Sequence, residues 1–342
     1  MLVLSALGEL DRHDTGDWHP ERPARLEAVR LGIADALGPT GDGIVSVAPR
    51  AATQEEIVRV HSAHYVWSLE HLAADGGGEL DPDTPVSAGS WDTARFAAGA
   101  GLAVIDELAT RDAGIGFAAV RPPGHHARPG MGMGFCLLNN VAIAAAALAE
   151  QGERVLIVDW DVHHGNGTQD AFWEDPRVLY VSMHQSPMYP GTGRVGETGG
   201  VSAPGATINF PFPAGTTGEM YRRAIDDVVT DAAAAFSPTW VLISAGFDAH
   251  RDDPLAGHEL AAGDYAELST SVAALAPRDG RLAIFLEGGY ELAALRRSVA
   301  ATVGRLTGTF ETDEAPTHAG PGADTIGAVQ VFRERLREGR TS

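Results

Sequence analysis

Short apolar runs, rich in β-branched residues, alternate along this chain with longer amphipathic segments. The four clearest runs are Val155–Asp159, residues 178–182, residues 240–244 and Leu282–Leu286. A strand that is apolar on both sides needs cover on both sides, as a parallel strand has between two layers of helices. The alternation therefore predicts an α/β fold with a doubly wound, mainly parallel sheet and helices on both faces.

Segments with helical periodicity separate the predicted strands. Thr53 and Glu56 have the spacing of a capping box, which predicts a helix that begins there and continues to Leu72. The other predicted helices span residues 94–108, 140–150, 218–236, 263–276 and 292–306. A further strand is predicted at 115–120. Glycine- and proline-rich stretches at 75–89, 187–205 and 316–323 are interpreted as surface loops, so we expect residues 1–342 to form a single domain.

The composition excludes several kinds of partner. Acidic residues outnumber basic ones by 46 to 25, a net charge of −21, so the chain is a poor competitor for the counterions of a nucleic acid. The same charge suits a cationic substrate, but it also simply keeps a protein in solution. The longest strongly apolar run, at 141–149, is too short to span a membrane, and the single cysteine, Cys136, excludes an internal disulfide. We expect a cytoplasmic protein that binds neither nucleic acid nor membrane.

Residues capable of chemistry follow four of the predicted strands. In a doubly wound sheet, ligands bind beyond the carboxyl ends of the strands, so these residues are expected to meet at one edge. In chain order they are His125, His126, Asp159, Asp161, His163, Asn166, Asp248 and Tyr290.

Asp161 and His163 alternate along an extended segment, so both side chains are expected on the same side. A carboxylate and an imidazole placed in this way are two ligands of a divalent metal, and a catalytic zinc usually takes three protein ligands. Asp248, which also follows an apolar strand, is the candidate for the third. The alternative is that Asp161 and His163 cap a helix or pair with each other.

The two adjacent histidines can divide the work of acid–base catalysis. One can serve as a general base and the other as an electrostatic helper, if Asp159 and Asn166 orient the far nitrogens of His125 and His126. Tyr290, which follows two glycines, can donate its hydroxyl to a developing oxyanion. The alternatives are idle loop histidines and an aromatic side chain that packs beside a turn.

Longer motifs surround these residues. They are Arg121-Pro-Pro-Gly-His-His-Ala127, Asp159-Trp-Asp-Val-His-His-Gly-Asn-Gly-Thr168, Ser244-Ala-Gly-Phe-Asp248 and Glu287-Gly-Gly-Tyr290. With residues 19–26 and 132–140 they resemble, in order from about residue 13 to about residue 305, the histone deacetylase and acetylpolyamine amidohydrolase family. The similarity is to class II-like members of bacterial type, because asparagine stands at position 166. The resemblance implies an eight-stranded parallel sheet of the arginase and deacetylase type.

The resemblance also implies the machinery of a zinc-dependent amidohydrolase. By this similarity Asp161, His163 and Asp248 bind one zinc ion. His126 is the general base that moves the proton, and His125 is its electrostatic partner. The implied reaction hydrolyses an acyl amide to a carboxylate and a free amine.

Three more residues take supporting roles by the same resemblance. Asp159 orients His125, and Asn166 faces His126. Tyr290 polarises the acyl carbonyl, so its presence here favours real catalysis over non-catalytic binding of an acyl-lysine.

Residues that contact the substrate are implied in the same way. Phe135 and Tyr189 match the two aromatic walls of a tunnel for the acyl-lysine side chain, although tyrosine at 189 departs from the usual phenylalanine. Gly134 supplies a carbonyl at the rim, and Asp83 matches a rim aspartate that holds the substrate backbone. Arg22 matches an arginine near an inner cavity through which acetate leaves.

Structural potassium is a further implication of the resemblance. The residues implied for a first site are Asp159, Asp161, His163, Ser182 and Met183. Those implied for a second site are Phe172, Asp175 and Val178.

Two substrate classes remain open. Polyamine-selective relatives carry a gatekeeper glutamate seven residues after the last zinc ligand, whereas this chain has Leu255 there, which favours acetyl-lysine or a short acyl-lysine in proteins or peptides. Residues 80–91 are instead similar to bacterial polyamine-type members, which often form homo-oligomers and act on small acetylated amines. We expect the lysine deacylase, with acetylpolyamine hydrolysis as the alternative.

Overall fold

The computed structural model describes residues 1–38 and 40–339, and its architecture confirms the predicted α/β fold. Within these residues, eight strands form one sheet in which neighbours are parallel, in the order β2-β1-β5-β10-β9-β6-β7-β8. The strands of this sheet are β1 (Leu2–Ala6), β2 (Ile44–Ser46), β5 (Ile115–Ala119), β6 (Val155–Asp159), β7 (Val178–Gln185), β8 (Thr207–Phe212), β9 (Trp240–Ala245) and β10 (Leu282–Leu286). A small antiparallel hairpin, β3 (Gly77–Glu79) and β4 (Pro85–Ser87), lies in the predicted loop at 75–89.

Helices cover both faces of the sheet. They are α1 (Ala24–Leu37), α2 (Gln54–Ile57), α3 (Ala63–Ala74), α4 (Ser90–Ala109), α5 (Asn140–Glu150), α6 (Asn166–Phe172), α7 (Gly218–Ala224), α8 (Thr230–Phe236), α9 (Ala262–Ala273), α10 (Leu292–Thr307) and α11 (Ala323–Arg337). A π-helical turn, Ile225–Val229, joins α7 to α8, so the predicted helix at 218–236 is one continuous helical run. In the described part of the chain, no helix is both long enough and apolar enough to cross a membrane.

The two helical layers bury opposite sides of each strand. Phe117 of β5 belongs to the core beneath α1 and α7 to α10, whereas its neighbour Ala118 belongs to the core beneath α3 to α5. Successive side chains of a strand point to opposite faces, which produces this division. Both cores are apolar, which is why the central strands are continuous hydrophobic runs in the sequence.

One predicted helix is wrong in extent. The capping box of Thr53 and Glu56 is present, but α2 ends at Ile57 and does not continue to Leu72. A second cap interrupts the helix, because the Ser62 side chain accepts a hydrogen bond from the backbone N–H of Tyr65 and begins α3. The chain is thus turned between two short helices.

Elements at the margins of the sheet were not recognised individually. The edge strand β8 contains Pro211, and proline usually argues against a strand because it has no N–H to donate. An edge strand tolerates it, since one side of the strand has no partner strand. Helix α11 follows the predicted loop at 316–323 and packs on β8 and α7.

Candidate active site

The carboxyl ends of four neighbouring strands build the candidate site. Strands β5, β10, β9 and β6 lie side by side in the middle of the sheet. They are the strands that precede the tandem histidines, Tyr290, Asp248 and Asp161, respectively. The order of strands in space therefore collects residues that lie far apart in the sequence.

The three predicted metal ligands lie together. Ligand atoms of Asp161, His163 and Asp248 are all within 4.8 Å of one another. Nδ1 of His163 is 3.3 Å from Oδ1 of Asp161 and 3.2 Å from Oδ2 of Asp248. The second oxygen of each carboxylate is fixed by the backbone: Oδ2 of Asp161 accepts from Gly288 N–H at 2.8 Å, and Oδ1 of Asp248 accepts from Val162 N–H at 3.0 Å.

The charges of this cluster favour a bound cation. Burial lowers the pKa of His163, but hydrogen bonds with Asp161 and Asp248 raise it to about 10. Both carboxylates are buried, where the attraction between opposite charges is stronger than in water. One imidazole between two carboxylates is also a donor set that suits zinc.

Two glycines allow the ligands to come this close. A Cβ atom on Gly246 would lie 2.1 Å from Oδ2 of Asp161, and one on Gly288 would lie 2.1 Å from Oδ2 of Asp248. Any side chain at either position would displace a carboxylate of the candidate metal site. Close packing against the carboxylates therefore explains glycine at position 246 of the Ser-Ala-Gly-Phe-Asp motif and at position 288 of the Glu-Gly-Gly-Tyr motif.

The tandem histidines have different partners. Nδ1 of His125 is 3.0 Å from Oδ2 of Asp159, whereas Nδ1 of His126 is 2.9 Å from Oδ1 of Asn166. The two rings lie 4.1 Å apart between centroids, and both side chains are buried. Each histidine therefore has the partner that the sequence predicted, and each donates a hydrogen bond from Nδ1.

Burial and the surrounding charges shift the pKa values of the two rings in opposite directions. Burial lowers the pKa of His125, but the charges of Asp161 and Asp159 raise it well above the usual value. Burial lowers the pKa of His126 as well, and the neighbouring His125 and His163 lower it further. His126 is therefore the neutral ring of the pair, and its Nε2 is an available proton acceptor.

Two aromatic rings lie beside residues of the site, Tyr189 against His126 and Phe135 against Tyr290. The ring of Tyr189 meets His126 edge-on at 5.2 Å, and Phe135 meets Tyr290 edge-on at 5.7 Å. Phe135 has a φ of 68°, a left-handed conformation that is rare for a bulky side chain, and its N–H donates to Oγ1 of Thr84 at 3.0 Å. This hydrogen bond helps to hold the backbone of Phe135 in the conformation that places its ring beside Tyr290.

Two aspartates lie near Phe135 and Tyr189: the predicted Asp83, and Asp81, which the sequence analysis missed. Asp83 is exposed, and its carbonyl is 3.1 Å from Nε2 of His19, whose ring packs against Phe135. Asp81 accepts a hydrogen bond from the N–H of Gly134 at 3.2 Å. Burial raises the pKa of Tyr189, and the charges of Asp81 and Asp83 raise it further, so a pair of acidic groups lies near this ring. The sequence signal for Asp81 is that it lies two residues before the predicted Asp83.

Tyr290 is partly buried near the same cluster. Its backbone N–H donates to Oδ2 of Asp253 at 2.7 Å, and the guanidinium of Arg25 lies 5.0 Å from the centre of its ring. Asp253 also accepts from Leu255 N–H at 3.0 Å, so the partly buried Leu255 and Tyr290 share one carboxylate. Burial raises the pKa of the Tyr290 phenol, which keeps the hydroxyl protonated as a hydrogen-bond donor.

The placement predicted for Arg22 is wrong. Arg22 is exposed and precedes α1, whereas Arg25 is fully buried. Nε of Arg25 donates to the carbonyl oxygen of Gly289 at 2.7 Å, and another of its nitrogens donates to the carbonyl oxygen of Glu287. Arg25 lies on the helix face of Ala28, Val29 and Ile33, and this register was the signal that the sequence analysis missed.

The residues expected for potassium are near one another in two places. Asp159 of β6 pairs in register with Ser182 of β7, which is followed by the buried Met183. In the second place, Asp175 N–H donates to the carbonyl of Phe172 at 3.1 Å, and Val178 N–H donates to that of Asp175 at 3.3 Å. The Asp175 carboxylate is paired with Arg177, so the backbone carbonyl oxygens are the groups that could ligate a cation there.

Comparison with known proteins gives a consistent result. The model of the histone deacetylase domain matches residues 19–306. A probable deacetylase of Archaeoglobus fulgidus is 41% identical over 284 residues, which are 82% of this chain and 79% of that protein. A histone deacetylase-like amidohydrolase of Pseudomonas aeruginosa is 37% identical over 297 residues, 84% of this chain and 76% of its own length.

A solved structure matches nearly the whole chain. The crystal structure of the HDA15 HD domain has a TM-score of 0.89 and is 33% identical, covering 99% of this chain and 97% of its own. Its agreement extends beyond the motifs to the eight-stranded sheet and the surrounding helices. With the matches over most of the sequence, this shows that the chain belongs to the histone deacetylase family, whose named members are deacetylases and amidohydrolases.

Proposed function

We propose that this protein is a zinc-dependent deacylase that hydrolyses acetyl-lysine, or a short acyl-lysine, in proteins or peptides. The observation that carries the proposal is the cluster of Asp161, His163 and Asp248 beside the neutral His126. We also propose that residues 1–342 act as one deacetylase domain, located in the cytoplasm. The family supports the chemistry, and the residues below support the division of roles.

Asp161, His163 and Asp248 would hold one zinc ion per chain. Bound there, zinc supplies a Lewis acid that polarises a carbonyl group and activates water. The oxygen donors around Asp159, Ser182 and Met183, and those around Phe172, Asp175 and Val178, suit a hard cation and would hold structural potassium. Zinc is needed for the reaction in this proposal, whereas potassium stabilises the site.

His126 moves the proton. Its Nδ1 donates to Asn166, so Nε2 accepts the proton of the attacking water and later gives it to the leaving amine. His125, held by Asp159 and kept charged, stabilises the negative charge that develops nearby. The Tyr290 hydroxyl donates to the carbonyl oxygen as it becomes an oxyanion.

The substrate side chain lies between Phe135 and Tyr189. Apolar walls suit the methylene chain of an acyl-lysine, and the carbonyl of Gly134 and the carboxylate of Asp83 remain at the rim for the peptide backbone. Leu255 offers no charge to a cationic chain. These features favour the lysine substrate.

A small acetylated amine is the second candidate substrate. The acidic pair of Asp81 and Asp83 beside Tyr189 favours it, because a carboxylate near the entrance stabilises a cationic chain. Catalytic efficiencies on an acetyl-lysine peptide and on N-acetylputrescine, measured at fixed ionic strength, separate the two. We expect the peptide to be preferred.

The variant Leu255→Glu tests the same choice. The new carboxylate is expected to shift the ratio of efficiencies toward the polyamine by up to about tenfold for each 1.36 kcal/mol gained in the transition state. Leu255→Gln, of similar size and neutral, is the matched control. If the native protein already prefers acetylputrescine, polyamine hydrolysis replaces lysine deacylation as the proposed activity.

A further inference from the structure

A carboxylate outside the predicted catalytic set contacts the backbone of the turn that carries the tandem histidines. Glu287 follows β10 and is completely buried. Its Oε2 accepts from the backbone N–H of Gly124 at 2.7 Å and of His125 at 3.1 Å. Its Oε1 accepts from Oγ of Ser244, at the end of β9, at 3.2 Å. One side chain thus joins the ends of three adjacent strands.

The turn that Glu287 holds belongs to no helix or strand. Buried backbone N–H groups need a partner, and a regular ladder supplies none at Gly124 and His125. On its other side the turn presses against the start of α5, since a Cβ on Gly124 would lie 2.5 Å from the backbone nitrogen of Asn140. The turn is therefore clamped between Glu287 and α5.

Glu287 is itself rigidly placed. Its N–H donates to the carbonyl of Ala245 at 3.0 Å, and its carbonyl accepts from Arg25. The backbone of Glu287 is thus held by β9 and α1, and its carboxylate is held by Ser244 of β9. The carboxylate of Glu287 therefore fixes the backbone at Gly124 and His125, and with it the positions of both imidazoles.

We infer that Glu287 is a positioning residue, which holds the Gly124–His125 backbone so that His126 and His125 keep their places beside the metal-ligand cluster. This inference rests on the proposed function. Glu287 acts through hydrogen bonds to the backbone and does not touch the substrate. Burial raises its pKa to about 7 against the charge of His125 and the N–H groups of Gly124 and His125, which lower it, so this carboxyl group is retained here at a cost in charge solvation.

Two substitutions separate hydrogen bonding from charge. In Glu287→Gln the amide oxygen can accept both N–H groups, and the amide nitrogen can donate to Ser244, so the turn keeps its partners without the negative charge. Glu287→Met has nearly the same length and fills the space, but it accepts neither N–H strongly. Asp264→Leu is the matched control, because Asp264 is also buried and accepts backbone N–H groups, from Ala261 and Thr317.

The measurements are kcat, KM and zinc content on the purified full chain. For Glu287→Met we expect a kcat on the order of 10–100-fold lower, because a small misplacement of catalytic groups is sufficient for such a loss. KM is expected to stay within about threefold and zinc at one per chain, since Glu287 contacts neither the substrate nor the ligands. Glu287→Gln is expected to recover most of the loss, and Asp264→Leu to keep the native kcat.

Each other outcome overturns the inference. A native kcat in Glu287→Met means that the turn needs no clamp, and an equal loss in both Glu287 variants means that charge, not hydrogen bonding, is responsible. If Glu287→Met does not fold, Ser244→Ala loosens the carboxylate from the other side and should lower kcat by a smaller factor with KM unchanged; no change would count against the inference. An inactive native protein would instead contradict the proposed function.

Discussion

At the scale of single residues, the surroundings of two identical side chains in the site give them different pKa values. His125 and His126 are adjacent and both buried, yet the charges of Asp161 and Asp159 outweigh burial and raise the pKa of the first, whereas burial and the neighbouring His125 and His163 lower the pKa of the second. The sequence contained both partners, Asp159 and Asn166, but only the fold brings them within hydrogen-bond distance. The pKa of each ring thus depends in part on charged residues more than thirty positions away in the sequence.

Removal of each histidine should therefore have unequal effects. His126→Ala is expected to lower kcat by about 10²–10⁴-fold, because it removes the group that accepts and returns the proton. His125→Ala should cost less, since its charge assists without transferring a proton. Steady-state kinetics on an acetyl-lysine peptide measure both, and small, equal losses would contradict the assigned roles.

Loss of one carboxylate from the metal-ligand cluster should remove the metal. Asp248→Ala leaves Asp161 and His163 as two ligands and is expected to abolish activity and most zinc binding. Zinc analysis after gel filtration and circular dichroism establish that the folded variant is metal-poor. Full activity in this variant would show that the site works without these ligands.

Residues that lie in motifs were easier to predict than residues that lie in a helix. Asp161, His163 and Asp248 were identified because each comes shortly after an apolar strand, and a parallel sheet presents those positions at one edge. Arg22 was wrong because two arginines lie three residues apart, and only the register of α1 shows that Arg25 is on the buried face. Glu287 also stands in a motif, but its role and that of Asp253 were missed because both accept from backbone N–H groups, which a sequence does not reveal.

At the scale of elements, the centre of the sheet was more predictable than its margins. Strands β6 and β10 were predicted with their observed bounds, since strands buried on both faces are continuously apolar. The edge strand β8 mixes polar residues and proline and gives no such signal. Helix α11 has a narrow apolar face, Ile326 and Val329, and its place on β8 is a tertiary contact that local patterns do not contain.

This contact makes α11 a test of the margin of the fold. Ile326→Ala alone should lower the free energy of unfolding by roughly 2–5 kcal/mol, and the added Val329→Ala should lower it further, because both side chains are nearly completely buried against β8 and α7. Val331→Ala, on the same helix but 45% exposed, is the matched control and should change it little. Chemical denaturation measures the free energy of unfolding of the native protein, the double variant and the control. The kcat of the double variant at 25 °C should stay native, and a fall in kcat would mean that α11 reaches the site.

At the scale of the whole molecule, buried ion pairs connect the beginning of the chain to the site. Arg121, just before the tandem histidines, pairs with Asp11 and Glu21, and Glu21 also pairs with Arg25 of α1. Burial raises the pKa of Glu21, but the charges of Arg121 and Arg25 lower it to about 2. The stabilisation from this carboxylate is thus present above its unfolded pKa of about 4.3 and is lost as the pH falls toward 2.

A buried histidine should make the protein lose stability at a higher pH than this carboxylate does. Nε2 of His61 accepts from Asn139 N–H at 2.9 Å and Nδ1 faces the Arg128 carbonyl at 3.0 Å, so the folded protein holds the neutral ring, and burial lowers its pKa to about 4. Unfolded chains bind a proton below about pH 6.5, so this stabilisation is present above that pH and is lost as the pH falls toward 4, at about 1.4 kcal/mol for each unit. We expect the free energy of unfolding, measured with urea from pH 7.5 to pH 4.5, to fall less steeply in His61→Gln, whose amide can accept and donate without titrating. An unchanged slope would show that His61 is not a source of acid sensitivity.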